Sequence, residues 1–495
     1  MPGLSRSFTE GGVNKIEGLN IAAPRAQLYL NLMIKINNPA MKLKRIILLP
    51  WLCGMLIFTA RAQDAWSLER CINYALENNI QYKREKLRAE TTSNLFLNAK
   101  MDLLPNANGF ANASQNWGTT FSYDKLQYVD QNNLDGNFGL RLQMDVFRGF
   151  EKINAISQYK YNLLSNMQDV EKMEDNITLE IVASYLQILL NQELYKLALN
   201  QLDVTSQQVV RTGKLVEVGN QPRGKLLEMQ AQEALEKSNL TAARNDLALS
   251  YLTLTQLLFL DSAGGFQVEV PADLMLDETS VLQQPAVIYD QALTIMPGIR
   301  SAEYMLKSEE KYLASMRGRR YPYVTAQFLG YTRFNELAVH PTLYDNDPNN
   351  DIFEYPYTDQ IADFRYKQFT FSLVVPLFNN WYTNTQISNA KVSVSDARLG
   401  LDQARLDLYR IIQQAHANAL AALENFRSRQ EAVMSQQEAF DYAEQKFEVG
   451  LVSSVDYNIA KNNLTRAQSD LLQSKYQFLF RSKILDFYSG KPIRF

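Results

Sequence analysis

The stretch Asn137-Phe138-Gly139-Leu140-Arg141-Leu142-Gln143-Met144-Asp145-Val146-Phe147 alternates strictly. Phe138, Leu140, Leu142, Met144 and Val146 fall on one face; Asn137, Gly139, Arg141, Gln143 and Asp145 fall on the other. Successive side chains of a strand point to opposite faces, so this is a strand with one apolar and one polar side. The pattern returns downstream, where Phe369, Phe371, Leu373, Val375 and Leu377 alternate with Gln368, Thr370 and Ser372. The five apolar positions correspond at a constant offset of 231 residues. Partner strands precede each. Ala107, Gly109, Ala111 and Ala113 alternate with Asn106, Asn108, Asn112 and Ser114, with Phe110 breaking the polar face. Val324, Ala326 and Phe328 alternate with Thr325 and Gln327.

Alternation over about ten residues, apolar outside and polar inside, is the pattern of a transmembrane barrel strand. One such hairpin alone would read as soluble and half-buried. Two matched hairpins, with a leader and long helices around them, favour the membrane. Four strands cannot close a barrel, and no sheet edge can stay open in hydrocarbon. Oligomerisation is therefore required. Two chains would supply eight strands and three would supply twelve. Eight strands fill their own interior, whereas more leave a lumen.

The rest of the chain is also written twice. Ala75-Leu76 matches Ala292-Leu293 and Pro105 matches Pro322, at an offset of 217. Leu142–Phe147 matches Leu373–Phe378, Val216–Gly219 matches Phe447–Gly450 and Leu240 matches Leu471, at 231. The single jump of 14 residues places a longer loop between the second pair of strands. The expected units are 63–286, with strands at about 105–148 and a helical hairpin at about 150–261, and 287–495, with strands at about 321–379 and a hairpin at about 381–488. A helical stretch opens each, at about 66–103 and 287–318. The hairpin loops, about 118–136 and 333–366, are polar and expected outside the cell. No Gly or Pro lies between Gly149 and Gly213, and Leu163, Met167, Val170, Met173, Ile177 and Ile181 recur at helical spacing. At 1.5 Å per residue, each long helix reaches roughly 100 Å.

Met41-Lys42-Leu43-Lys44-Arg45, the apolar run to Ala60 and the small residues of Ala60-Arg61-Ala62 read as a signal peptide at 41–62, with 1–40 an upstream extension. Pro50-Trp51-Leu52 disfavours a lipid anchor on Cys53. Without residues 1–62, which hold 8 basic and 2 acidic residues, 42 basic and 51 acidic residues remain, a net of −9. That balance argues against a nucleic-acid partner. Two Cys and two His in 495 residues exclude a disulfide scaffold and a Cys- or His-rich metal centre. There is no Walker loop or dinucleotide fingerprint, and paired carboxylates such as Glu309-Glu310 sit on helical periodicity as surface. No enzyme activity, cofactor or metal is expected.

Leu373-Val374-Val375-Pro376-Leu377-Phe378-Asn379-Asn380 resembles the strand-end signature of the TolC-like outer-membrane efflux proteins, and Lys446-Phe447-Glu448-Val449-Gly450-Leu451-Val452-Ser453-Ser454-Val455-Asp456-Tyr457 resembles their helix-tip signature. The duplicated strand-strand-helix order agrees, over about residues 66–490. The resemblance implies a mainly α fold with a small transmembrane β part: a homotrimer with a 12-stranded outer-membrane barrel continued by a periplasmic α-helical barrel. It implies an export duct for small molecules or proteins in a tripartite efflux or type I secretion system, docked to a periplasmic adaptor that serves an inner-membrane pump. Val218-Gly219-Asn220 and Val449-Gly450-Leu451 would touch the adaptor. Asp456 would narrow the periplasmic mouth; its first-unit counterpart is Lys225, and opposite charges there could lock a closed state. Ile459 stands where the resemblance would place a second acidic ring. The rival readings are a periplasmic coiled-coil scaffold and a secreted enzyme on a helical frame.

Overall fold

The computed structural model describes residues 65–122, 126–260, 265–271, 279, 281, 283–338 and 355–493. The leader, the upstream extension and much of the loop expected at 333–366 lie outside the described residues. In chain order the elements are α1 (Leu68–Asn78), α2 (Ile80–Met101), β1 (Asn106–Ser122), β2 (Gln127–Arg148), α3 (Glu151–Glu217), α4 (Arg223–Leu257), α5 (Pro285–Ile295), α6 (Pro297–Gly318), β3 (Tyr323–Asn335), α7 (Tyr357–Asp363), β4 (Tyr366–Val374), α8 (Tyr382–Glu448) and α9 (Ser454–Tyr488). No described helix is long and apolar enough to cross a membrane.

The stretch expected as one helix at 66–103 is two. Asn79 ends α1 and caps α2, its Oδ1 accepting from the N–H groups of Gln81 (2.8 Å) and Tyr82 (3.0 Å). Such a cap satisfies donors that a helix start leaves free. The corresponding break between α5 and α6 is made by Pro297, which opens α6 where its missing N–H costs nothing. The long helices α3 and α8 each span 67 residues, and their return helices α4 and α9 each span 35.

Among the described residues, two large apolar cores hold the helices, with a smaller cluster of Met316, Ile387 and Ala390 between α6 and α8. Cys71 and Ala75 of α1, Ile177, Ile181 and Ile188 of α3, and Leu254 of α4 form one. Ile288 and Ala292 of α5, Leu408, Ile412 and Ala419 of α8, and Leu485 of α9 form the other. The Cys71 thiol is free, and burial pushes it up to about 12. A buried thiol in apolar surroundings is inert.

The sheet order is β1-β2-β3-β4, antiparallel throughout, so β1 and β4 are edges. Two boundaries differ from expectation. The region at 118–136 is mostly strand: Gly118 to Ser122 pairs with Gln131 to Gln127. The polar composition there reflects a hairpin whose outward positions turn polar, since Gln115, Asn132, Thr119 and Asp130 share the face of Leu140 and bond to one another. β4 stops at Val374, so Val375 and Leu377 lie beyond the strand rather than in it. Pro376 has no N–H to give to a ladder, which explains the stop. Both remain exposed.

Candidate functional site: strand faces and helix tips

The register assigns side chains to faces. Directly opposed residues share a face. Asn106–Gln143–Gln327–Thr370 form one rung, and Asn108–Arg141–Leu329–Gln368 the rung two residues on. Between them, and pointing the other way, lie Ala107–Leu142–Phe328–Phe369. One side of the sheet is therefore amide, hydroxyl and charge, and the other is aliphatic and aromatic. Phe138, Leu140, Phe369, Phe371 and Leu373 are exposed on the apolar side. Leu142 and Met144 are half-buried among neighbours of the same face. Val146 sits at a register shift between Asp145 and Phe147, where β2 carries one extra residue. Such a bulge turns a strand locally.

The strands pass into the long helices through paired left-handed residues. Gly149 (φ 56°) and Phe150 (φ 62°) precede α3, and Asn380 (φ 52°) and Trp381 (φ 63°) precede α8. The left-handed region costs an ordinary L-residue about 1–2 kcal/mol. Gly and Asn tolerate it, whereas Phe150 and Trp381 carry strain. Glu151 ties the first junction together, accepting from Arg148 Nε (3.0 Å) and Arg319 Nε (2.8 Å).

At the far end both hairpins turn the same way. Gly219 (φ 76°) donates to the Val216 carbonyl at 3.0 Å, and Asn220 to that of Leu215 at 2.8 Å. Gly450 (φ 79°) donates to Phe447 at 3.1 Å, and Leu451 to Lys446 at 2.8 Å. This pair of bonds closes a helix end and needs a left-handed residue at its centre. No atom lies within 4 Å of a Cβ built on either glycine, so backbone conformation alone selects Gly there. Val218, Val449 and Leu451 stand out at the tips, each more than two-thirds exposed.

The two hairpins are cross-linked near these tips. Arg211 of α3 pairs with Glu448 of α8 at 3.1 Å. The Lys225 ammonium lies 4.2 Å from the centre of the Phe447 ring. The Ser454 hydroxyl bonds the Glu228 carboxylate. Deeper in, the Lys461 ammonium is buried and donates to the Thr205 hydroxyl and to the Gln201 carbonyl (3.3 Å). Burial holds its pKa below the usual lysine range, while Glu236 works the other way. Tyr457 is buried and stacks on Phe447 at 4.6 Å. Burial, with the nearby Glu444 and Glu448, pushes its phenol up to about 12. The structure gives Lys225 and Asp456 different partners within the chain. Asp456 closes a capping box: its carboxylate accepts from the Ser453 N–H at 3.3 Å, and its own N–H donates to Ser453 Oγ at 3.1 Å. Pro222 stands in Ser453's place in the first hairpin, so Lys225 has no equivalent box. Sequence reasoning missed Arg211, Glu228 and Lys461, and gave Phe447 and Ser454 no partners. Their partners lie on the other hairpin, and no local spacing marks them.

Residues 288–491 match the family of outer membrane efflux proteins. The match spans 204 of the chain's 495 residues. It is 20% identical over 352 residues to the outer membrane efflux protein BepC of Brucella suis biovar 1 (strain 1330), covering 71% of each chain. Its fold is similar to that of the outer membrane protein VceC of Vibrio cholerae (TM-score 0.68, 16% identity, 86% of this chain and 97% of that one). The CmeC outer membrane channel of Campylobacter jejuni is similar too (TM-score 0.67, 15% identity, 86% and 85%). The protein is an outer-membrane efflux channel that extends into the periplasm, the outer-membrane duct of a tripartite efflux system. Its architecture is mostly helical with a small sheet, as in those channels, and the family consists of channels rather than enzymes. The scaffold and secreted-enzyme readings give way to this assignment.

Proposed function

We propose that three copies of this chain close a 12-stranded barrel in the outer membrane, with the two strand-strand-helix units of each copy, 63–286 and 287–495, lying side by side. The observation that carries this reading is a two-faced sheet whose edges, β1 and β4, pair with no further strand among the described residues. In hydrocarbon every backbone polar group needs a partner, so such a sheet must be completed by other copies. Twelve strands leave a lumen that the polar face would line. Phe138, Leu140, Leu142, Met144, Val146, Phe369, Phe371 and Leu373 would face lipid, and Val375 and Leu377 would meet it at the membrane edge. The helical hairpins would continue the lumen as a periplasmic barrel, carrying small molecules or proteins from an inner-membrane pump. The test is the mass of the detergent-solubilised particle purified from outer membranes. A particle of about three chains is expected. A monomer, or recovery in the soluble periplasmic fraction, would sink the barrel.

The tips Val218-Gly219-Asn220 and Val449-Gly450-Leu451 are read as the adaptor contacts, and Asp456 with Lys225 as part of the periplasmic gate. Exposed apolar residues at a hairpin end favour contact with a partner. Leu451→Asp is expected to weaken adaptor binding about 30-fold, the effect of losing a central apolar anchor worth about 2 kcal/mol. Efflux should fall while the outer-membrane particle stays at wild-type amount. Unchanged binding of purified adaptor to the variant would remove Leu451 from the contact.

A further inference from the structure

The polar face of the sheet is not uniformly amide and hydroxyl. One rung consists of Phe110, Gly139, Tyr331 and Tyr366. It is the rung on which Phe110 broke the polar alternation. Gly139 leaves a gap in it, and a Cβ there would lie 2.5 Å from that of Tyr331. Tyr331 and Tyr366 meet with ring centres 5.3 Å apart. The flanking positions on the same face are arginines. The Arg141 guanidinium lies 5.6 Å from the centre of the Phe110 ring, and that of Arg333 lies 5.5 Å from the Phe364 ring.

These two arginines differ from others nearby. Arg148 pairs with Asp145 and Glu151, Arg319 pairs with Glu151, and Arg320 bonds Asn384. Arg141 and Arg333 form no ion pair among the described residues, and both are exposed. Arg333 and Phe364 line a cavity of about 540 Å³ with Gln131, Asp135, Asn137 and Asn335. The one carboxylate among those six, Asp135, is bonded by the Asn116 amide. A guanidinium presents several donors in a planar fork suited to carboxylate, sulfonate or phosphate. An aromatic ring beside it accepts a second ring by offset or edge stacking.

We propose that Arg141 and Arg333, with Phe110, Tyr331 and Phe364, form a binding site for organic anions that carry an aromatic ring, on the lumen wall near the outer end of the barrel. The site rests on the reading that the polar face lines a lumen. It makes the last part of the duct selective, favouring passage or retention of aromatic anions over aromatic cations of the same size.

The test uses the full-length detergent-solubilised protein and 2-naphthalenesulfonate. Equilibrium dialysis should show saturable binding, with 2-naphthyltrimethylammonium binding at least about tenfold more weakly. Arg141→Gln/Arg333→Gln should weaken sulfonate binding at least about tenfold, the scale of losing charge-assisted hydrogen bonds. Phe364→Leu should weaken it while both charges remain. Absence of saturable binding, or equal binding by wild type and the double variant, overturns the proposal. Ion current through planar bilayers is recorded on the same preparations. Current without a variant-dependent site keeps the duct and removes the anion site. Variant-dependent binding without current keeps the site and counts against the open duct.

Discussion

Gly318→Val is expected to leave almost no folded protein in the outer membrane. Gly318 ends α6 against the β2–α3 junction. A Cβ added to it would lie 2.6 Å from the Gly149 carbonyl oxygen and 2.9 Å from the Glu151 nitrogen. A Cβ added to Gly149 would overlap the Gly318 carbonyl and come within 2.8 Å of the Tyr321 Cβ. The obstacles are mainly backbone, so no side chain can swing aside. Inserting a single methyl group into a packed site costs about 1–3 kcal/mol, and a valine brings three carbons. The strain falls where the sheet hands over to the helices, beside the left-handed Phe150 and the Glu151 ion pairs. Gly149→Val should be worse, because the left-handed conformation adds about 1–2 kcal/mol. The control is Gly400→Ala in α8, where no atom lies within 4 Å of an added Cβ. It should be neutral or stabilise by up to about 1 kcal/mol through reduced chain entropy. Outer-membrane yield and the thermal unfolding midpoint of purified protein read both. A Gly318→Val protein with wild-type yield and midpoint would show that this close approach is not needed.

Phe371→Arg should have the next largest effect, on insertion rather than on helix packing. Phe371 is 65% exposed within the chain, on the apolar side, beside Phe369 at 4.8 Å and across from Ala326. A lipid-facing Arg near the bilayer centre costs about 2–4 kcal/mol in a membrane barrel. In the proposed trimer, three copies multiply this to about 6–12 kcal/mol per particle, comparable to the whole stability of an ordinary domain. Thr370→Arg is the matched control, since its side chain falls on the polar face. It should assemble close to wild type. Equal loss of assembled particle in both variants, measured by outer-membrane fractionation, would mean that the two faces are not lipid and lumen.

Much of this fold was legible because it depends on local periodicity. Alternation at 137–147 and 368–377 marked strands, the second running three residues past the strand end at Val374, and apolar spacing without Gly or Pro marked the long helices. Both signals belong to residues near one another in sequence. The turns at Gly219 and Gly450 were legible for the same reason, since a left-handed helix end selects Gly by its own backbone. The break at Pro297 was also a local signal, overlooked because helical periodicity continues on both sides of it. The strand length at 118–136 was missed because polar outward positions look like loop when the partner strand is not known.

The amino-acid sequence alone determined the two-faced strands, the rods and their duplication. Only the tertiary structure decided what Asp456 and Lys225 touch, and which arginines meet no carboxylate among the described residues. Arg211 meets Glu448 and Phe447 meets Lys225 across two hairpins, with more than 200 residues between the partners. Arg141 meets Phe110 only through the β1–β2 register. Such contacts depend on how two rods are rotated against each other and on which rung faces which. Periodicity fixes the face a residue lies on. It does not fix the residue that will stand opposite.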